Sequence, residues 1–430
     1  MLWKLGLPNG VAWLTWTLAT FADAFILGIL GTIPLAVIAL VFPFQMLMLM
    51  MAAGAIGGGT TSSVGRAIGN KDIEKAQSSC FHSIVISFLM SCIYAVIFYF
   101  FSHDIFLFMG ASGEVLNGAI AYSKIFFSFS VFFWLFNILA SIIRGIGDTY
   151  TPAKAITLGS VLQIILSFLF TLGIGPFPEM GVIGPSISIV ICHIVMTLYL
   201  IYYLFFVQKT INIRFQKLKL NIFNDIMKVG GLGLLNSITI AMTVAVVTGY
   251  VGNFGDKALA GYGLGSRLEL ILTPIIFGLG AALTASVSIN IGSKQFKRAR
   301  QIAWTGGLIS FGLIGIIGLF AAIFPQLWIN NFSSDPEALI YGKTYLNIVA
   351  PFYCLFGLGQ ALYFASQGTG KLINPIFIGL LRFFTVVIFG YIAISNNVSI
   401  DYIFYGVSLG LIITGIGMSL CLLGSEWKEG

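Results

Sequence analysis

The feature that most constrains this chain is the length of its uncharged runs. Asp, Glu, Lys and Arg are absent from 5–22, 24–65, 76–103, 125–143, 155–178, 180–208, 229–255, 270–293, 301–334, 344–370, 372–400 (apart from Arg382) and 402–425. A helix needs about 20 apolar residues to cross a bilayer, so the pattern reads as twelve spans. Only 9% of the residues are charged and 58% are hydrophobic, against about 25% charged in a soluble domain. That excludes a soluble globular protein, a disordered chain and a small disulfide scaffold. The runs are continuous rather than alternating, which argues against a membrane barrel. The first run continues into further apolar sequence, so no cleavable signal peptide is expected.

Orientation follows from the basic residues. Of the 22 Lys and Arg, Lys124, Lys257 and Lys343 fall on one side, and Arg267 and Arg382 fall within spans. The rest, Arg144 among them, gather on the other side. That side is expected to be cytoplasmic, with both termini there and the protein in the plasma (inner) membrane. The net charge of +7 then reflects topology rather than nucleic-acid binding. The five cysteines lie in or beside apolar runs without metal-type spacing, and the three histidines do not cluster, so no metal site is expected.

The chain repeats itself. IGNKDIEKAQ at 68–77 matches IGSKQFKRAR at 291–300, an offset of 223. Gly145, Gly147 and Pro152 match Gly368, Gly370 and Pro375 at that offset, as Glu114 and Tyr122 match Glu337 and Tyr345. Six spans per copy is an even number, so both copies face the same way. The expected fold is an all-α polytopic membrane protein. Its two six-helix lobes, 1–207 and 223–430, are related by a pseudo-two-fold axis along the membrane normal and joined by a cytoplasmic linker at 208–222. Gly69 and Gly292 end helices before the basic loops, where glycine would supply a left-handed closing residue.

Ionisable groups inside spans mark function, because lipid makes them costly. They are Asp23, Arg267, Glu269 and Arg382. Asp23 lies about two-thirds along the first span, with Thr20 and Trp16 on its helical face. Burial disfavours a charged carboxylate, so Asp23 could exchange a proton or hold Na⁺; the alternative is an aspartate at a helix end reaching water. Arg267 and Glu269 are two apart and do not share a face. Glu269 is a weaker ligand candidate, and Arg382 reads as a partner for a helix end or a buried carboxylate. The runs FPFQMLMLMM at 42–51 and FFSFSVFFWLF at 126–136 could line a pocket or face lipid. No nucleotide-binding loop appears, and no catalytic constellation, so neither ATP nor enzymatic chemistry is expected.

Several stretches carry a family resemblance. They are DAFILGILG with PLAVIAL at 23–40, the GRAIGNKDIEKA loop, RGIGDTYTPAK at 144–154, GSRLE at 265–269 and FGLGQALYFASQGTGKLINP at 356–375. In this order the chain resembles the multidrug and toxic compound extrusion (MATE) transporters, in particular their DinF-like prokaryotic branch, over nearly all its length. The resemblance implies two lobes around a central cavity and efflux of cationic or amphipathic compounds driven by an H⁺ or Na⁺ gradient, with no bound cofactor. It places Asp23 at the family's helix 1 acid and Pro8 at the proline whose bending has been linked to protonation. Where some members carry an Asn and an Asp in helix 5, this chain has Gln163 and Ser167. A hard cation prefers several charged or carbonyl oxygens, which favours H⁺ over Na⁺. Where another branch has a helix 7 glutamate and a helix 10 aspartate, this chain has Asn236, Ser237 and Gln360. With Trp16 and Glu269 these are candidates for lining the substrate path. The expected partners are small-molecule substrates and the lipid bilayer, and the expected state is a monomer. The alternative is a lipid-linked sugar or glycolipid flippase, which would line its cavity with several cations.

Overall fold

The structure is a computed structural model that describes residues 2–332, 335–424 and 427, without the side chains of 2–5, 270 and 271. Lys428 and the side chain of Lys4, both counted toward orientation, lie outside this description. The spans are α1 (Gly6–Leu30), α2 (Thr32–Gly69), α3 (Ile73–Phe108), α5 (Tyr150–Leu172), α6 (Gly181–Val207), α7 (Leu220–Gly252), α8 (Asp256–Gly292), α9 (Phe296–Ile323), α10 (Pro336–Thr369), α11 (Ile373–Ser395) and α12 (Asp401–Cys421). The remaining span, α4, is a pair, Gly113–Ser128 and Ser130–Gly145, bent by 47°. Helices satisfy every backbone hydrogen bond internally, as lipid demands. Helix starts in the loops carry polar caps: Asp72 accepts from the backbone N–H of Lys75 at 2.9 Å, and Asp335 caps α10 ahead of Pro336.

The charge-free runs locate the spans but misplace their ends. Asp23 and Glu269 lie inside α1 and α8, and Arg66 and Arg144 lie inside α2 and α4. Arg144, assigned to a loop by sequence, is only 4% exposed. Asp23, Arg66 and Arg144 each end a charge-free run before the helix itself ends, and the run 270–293 begins only after Glu269, well inside α8.

The buried apolar side chains form two clusters. The first takes residues from Ala12 to Ile226, and the second takes residues from Val229 to Trp427. The first turns of α7 therefore pack with the preceding helices. The repeat is visible in individual bonds. Thr61 donates to the carbonyl of Ser141 at 2.9 Å, and Thr284 donates to the carbonyl of Phe364 at 2.7 Å; both partners differ by 223. The bend of α4 at Phe129 recurs as a 3₁₀ turn at Ala350–Phe352 in α10. Gly147 and Gly370, also 223 apart, both take left-handed backbone (φ 98° and 82°), a conformation that favours glycine. We expect Thr284→Val to lower stability by about 0.5–1 kcal/mol, the usual scale of an interhelical bond in a membrane protein. Thermal unfolding in detergent measures it.

Midway along α2 the helix widens into a π stretch, Met50–Ile56. Such a stretch loosens the backbone ladder. Here the carbonyl of Gly54 accepts from Gln367 Nε2 in α10, at 2.9 Å.

Candidate functional site

Asp23 sits in α1 where a run of apolar residues is broken by Thr20 and Asp23 on one face. It is 4% exposed. Gln163 of α5 donates its Nε2 to Asp23 Oδ2 at 2.8 Å. The other carboxylate oxygen and the hydroxyl of Ser167, one helical turn further along α5, lie near each other without closing a hydrogen bond of standard geometry. Among the described residues no cation forms an ion pair with Asp23. The carboxylate faces a small cavity lined also by Trp16, Thr20, Gln45, Tyr122 and His193. Gln45 Nε2 donates to the Tyr122 hydroxyl at 3.2 Å. Phe42 and Met46 from the Met-rich run and Phe126 and Phe133 from the aromatic run complete the lining. Other members of those runs, such as Phe129, are exposed on the outside of the bundle. The aromatic run thus serves cavity and lipid by turns, whereas Met48 and Leu49 of the Met-rich run are buried inside the bundle.

Thr20 lines the cavity on the same face as Asp23, and neither it nor Pro8 bonds the carboxylate. The hydroxyl of Thr20 donates to the Trp16 carbonyl at 3.1 Å and not to Asp23. Pro8, fifteen residues before Asp23, is about 22 Å away along a straight helix and outside this cavity.

The second lobe holds a related arrangement. Glu269 Oε1 accepts from the Tyr345 hydroxyl at 2.6 Å and from the Tyr353 hydroxyl at 3.2 Å. Tyr345 is the repeat counterpart of Tyr122, which accepts from Gln45 of α2, but Glu269 itself aligns with Met46 and not with Gln45, so the two bonds lie one residue out of register. The offset of 223 was legible in the sequence, but the pairing of these side chains was not. Arg267 points the other way, its guanidinium 5.9 Å from the Phe332 ring centroid, as their two-residue spacing requires. Arg382 is 7% exposed and its Nε and Nη2 have no hydrogen-bond partner. Asn236, Ser237 and Gln360 are buried in the second lobe and do not reach the Asp23 cavity.

The lobes meet at the end that carries the basic loops. Arg66 Nη2 pairs with Asp225 Oδ1 at 2.9 Å, Lys75 Nζ lies 3.8 Å from Oδ2, and Ser63 donates to the same Oδ2 at 2.7 Å. Ser293 donates to the carbonyl of Gly69 at 3.0 Å. Arg66 also bonds to the Ser62 hydroxyl, which donates to the carbonyl of Gln367. Gly69 and Gly292 do end helices, but not through left-handed backbone; Lys71 and Lys294 take that role, at φ 60° and 58°. The glycines instead let α2 and α8 cross. A Cβ on Gly69 would run into the carbonyl of Ile289, and one on Gly292 into that of Arg66.

The MatE family model matches residues 8–169 and 234–392. The two matched segments end 223 residues apart, at Leu169 and Ile392. Probable multidrug resistance protein YoeA of Bacillus subtilis is 25% identical over 83% of this chain and 78% of that protein. An FAD transporter of Shewanella oneidensis is 26% identical over 85% and 81%. The multidrug export protein MepA of Staphylococcus saprophyticus is 27% identical over 81% and 77%. In shape, the chain is similar to a MATE family transporter of the MOP superfamily in an outward-facing conformation, with a TM-score of 0.92 at 23% identity over 100% of this chain and 96% of that one.

Proposed function

The chain belongs to the MatE family of transporters, and from that premise we propose that it exports cationic or amphipathic organic compounds in exchange for protons, with Asp23 as the coupling group. The observation that carries this is the isolation of Asp23: a buried carboxylate with one hydrogen bond, one free oxygen and no second acid beside it. Gln163 turns a donor toward the carboxylate. A sodium ion would need acceptor oxygens there instead. The arrangement therefore suits a group that gains and loses a proton.

The lobes 1–207 and 223–430 act as the moving units of a monomer in the inner membrane. With the basic end cytoplasmic, the Arg66–Asp225 pair and the Gly69–Gly292 crossing close the cytoplasmic side, which is the outward-facing arm of the cycle. A proton entering from outside neutralises Asp23, α1 repacks around Thr20 and Pro8, and substrate affinity falls. Return to the inward-facing state releases the proton. The membrane potential supplies about 2.3 kcal/mol per charge per 100 mV. One proton at ~150 mV thus gives roughly 3.5 kcal/mol, a few-hundred-fold gradient of a neutral substrate. The relatives' names favour drug export over the flippase alternative, and the FAD transporter among them extends the substrate range beyond cations.

Reconstituted protein tests the coupling ion. Efflux of a fluorescent organic cation from proteoliposomes should follow an imposed pH gradient and ignore an imposed Na⁺ gradient. Export driven by Na⁺ alone contradicts the proposal. Glu269 has a positioning role in this reading, as the acceptor that ties Tyr345 and Tyr353 of α10 to α8. Glu269→Gln exchanges a charge-assisted hydrogen bond for a neutral one, at a stability cost of about 1 kcal/mol. Its pH-driven efflux should persist; abolished efflux in a well-folded Glu269→Gln protein would give Glu269 a coupling role as well.

A further inference from the structure

The two copies of the repeat differ at one place that the coupling scheme does not use. Met50–Ile56 of α2 is a π stretch, whereas its counterpart, 273–279, runs inside α8 as plain α-helix. A π turn is in effect one residue inserted into an α-helix. Relaxing the turn to α-helix threads that residue into the regular spiral. Everything beyond it then swings by about 100° about the helix axis, at 3.6 residues per turn. The stretch begins five residues after Gln45, which lines the Asp23 cavity, and ends six residues before Ser62, which bonds across the seam between the lobes. It therefore lies between the coupling group and the closed basic end.

What holds the π register comes from the other lobe. Gln367 of α10 donates its Nε2 to the carbonyl of Gly54, inside the stretch, at 2.9 Å. Its own backbone carbonyl accepts from Ser62, beyond the stretch. Gln367 is fully buried, with its amide laid against Gly58, where a Cβ would run into it. One residue thus clamps α2 within the turn and beyond it. Arg144, its counterpart at the offset of 223, is buried with its Nε unpartnered and bonds no carbonyl of α8 among the described residues.

The sequence after the turn suits a change of register. Gly57, Gly58 and Gly59 follow it directly. Each faces a different neighbour too closely for a side chain: Gly57 the Ser141 hydroxyl of α4, Gly58 the Gln367 amide of α10, and Gly59 the carbonyl of Ile226 in α7. Turning this level of the helix by one residue replaces glycine with glycine at two of the three contacts. The counterpart run in α8 is Gly280, Ala281 and Ala282, where the same turn would bring methyl groups into contact.

We propose that the π stretch of α2 is a register switch and that Gln367 is its latch. With the lobes closed at the basic end, the Gln367–Gly54 bond holds the π register. When they part, the donor withdraws, the turn relaxes to α-helix and the far half of α2 rotates. The rotation carries Ser62 and Arg66 off Gln367 and Asp225 while Phe42 and Gln45 stay at the Asp23 cavity. Seam and cavity are thereby tied to one event in one helix, biased from both ends. Gln367 is a positioning residue that acts through α2. The switch rests on the lobes parting at that end during the efflux cycle, whichever ion drives it.

Three variants of the full-length protein test this. Spin labels at Lys71 and Lys294, in a cysteine-free background, read the seam as a short or a long distance. Deletion of Ala53 removes the inserted residue. α2 then runs as plain α-helix with both halves oriented as in the closed seam, and no further turn is left to it. This chain should fold and show the short distance alone. Gln367→Met keeps the bulk and the backbone carbonyl but has no amide to donate. Its long-distance population should grow about fivefold, the worth of one hydrogen bond. Gly57→Ala sets a Cβ against the Ala52 carbonyl of the π turn and should shift the same way. A merely structural role would not move the deletion and the two substitutions in opposite directions. The proposal is overturned if the Ala53 deletion keeps the long distance of the wild type, opens like Gln367→Met or fails to fold, and equally if Gln367→Met leaves the distances unchanged. A wild type that shows no long distance under any condition sinks the efflux reading together with the switch. A wild type that shows both distances, without opposed shifts in the variants, sinks the switch alone.

Discussion

Asp23→Asn will leave a folded, membrane-inserted protein that no longer couples efflux to a pH gradient. Asparagine matches aspartate in shape and can keep a hydrogen bond to Gln163, whose amide rotates to present its oxygen. Buried where it is, it also removes a costly carboxylate, so stability should hold or rise slightly. What disappears is the one carboxylate among the described residues of the cavity; His193 and Tyr122 also line it, but they bond the Ile189 carbonyl and Gln45 instead, and Gln163 and Ser167 stay neutral. The pH-driven component of transport should fall to the level of empty vesicles, while substrate binding remains measurable. Gln163→Leu is the milder companion. It strips the carboxylate of its one hydrogen bond and should slow coupled efflux without abolishing it.

The second large effect belongs to the seam. Gly292→Val places a branched side chain against the backbone of Arg66, which has no rotamer to yield with. The lobes must part there or the helices must bend. Overpacking of this kind costs about 1–3 kcal/mol, which corresponds to roughly a five- to more than hundred-fold shift between two conformations. Only the conformation closed at this end carries that cost, so the equilibrium moves toward the open one. Spin labels at Lys71 and Lys294, in a cysteine-free background, report it as a longer distance between the two loops. Efflux should fall with it, because the closed arm of the cycle is depopulated. An unchanged distance would mean that the crossing is not the closure point.

Much of this was legible in the sequence, for identifiable reasons. Lipid forces long apolar helices, so the spans appear as charge-free runs, and the duplication appears as a constant offset of 223. Asp23 was visible because a carboxylate in such a run has few innocent explanations. The span ends were blurred by the half-buried Arg66 and the buried Arg144, which look like loop residues to any count of charge. The crossing of Gly69 and Gly292 was hidden because a helix-ending glycine and a close-contact glycine look alike in one dimension. The turn of Thr20 toward its own helix depends on a rotamer that spacing does not determine. The isolation of Arg144 was invisible too, since it depends on which side chains the two lobes bring around the axis.

The central claim, that Asp23 trades a proton for substrate, is tested most directly by counting protons as substrate binds. Calorimetric titration of a transported compound in two buffers of different ionisation enthalpy gives that number. The account predicts proton release on binding in the wild type, affinity that weakens as pH falls, and neither effect in Asp23→Asn. Binding without proton release across the physiological pH range, or release that persists in Asp23→Asn, would contradict it.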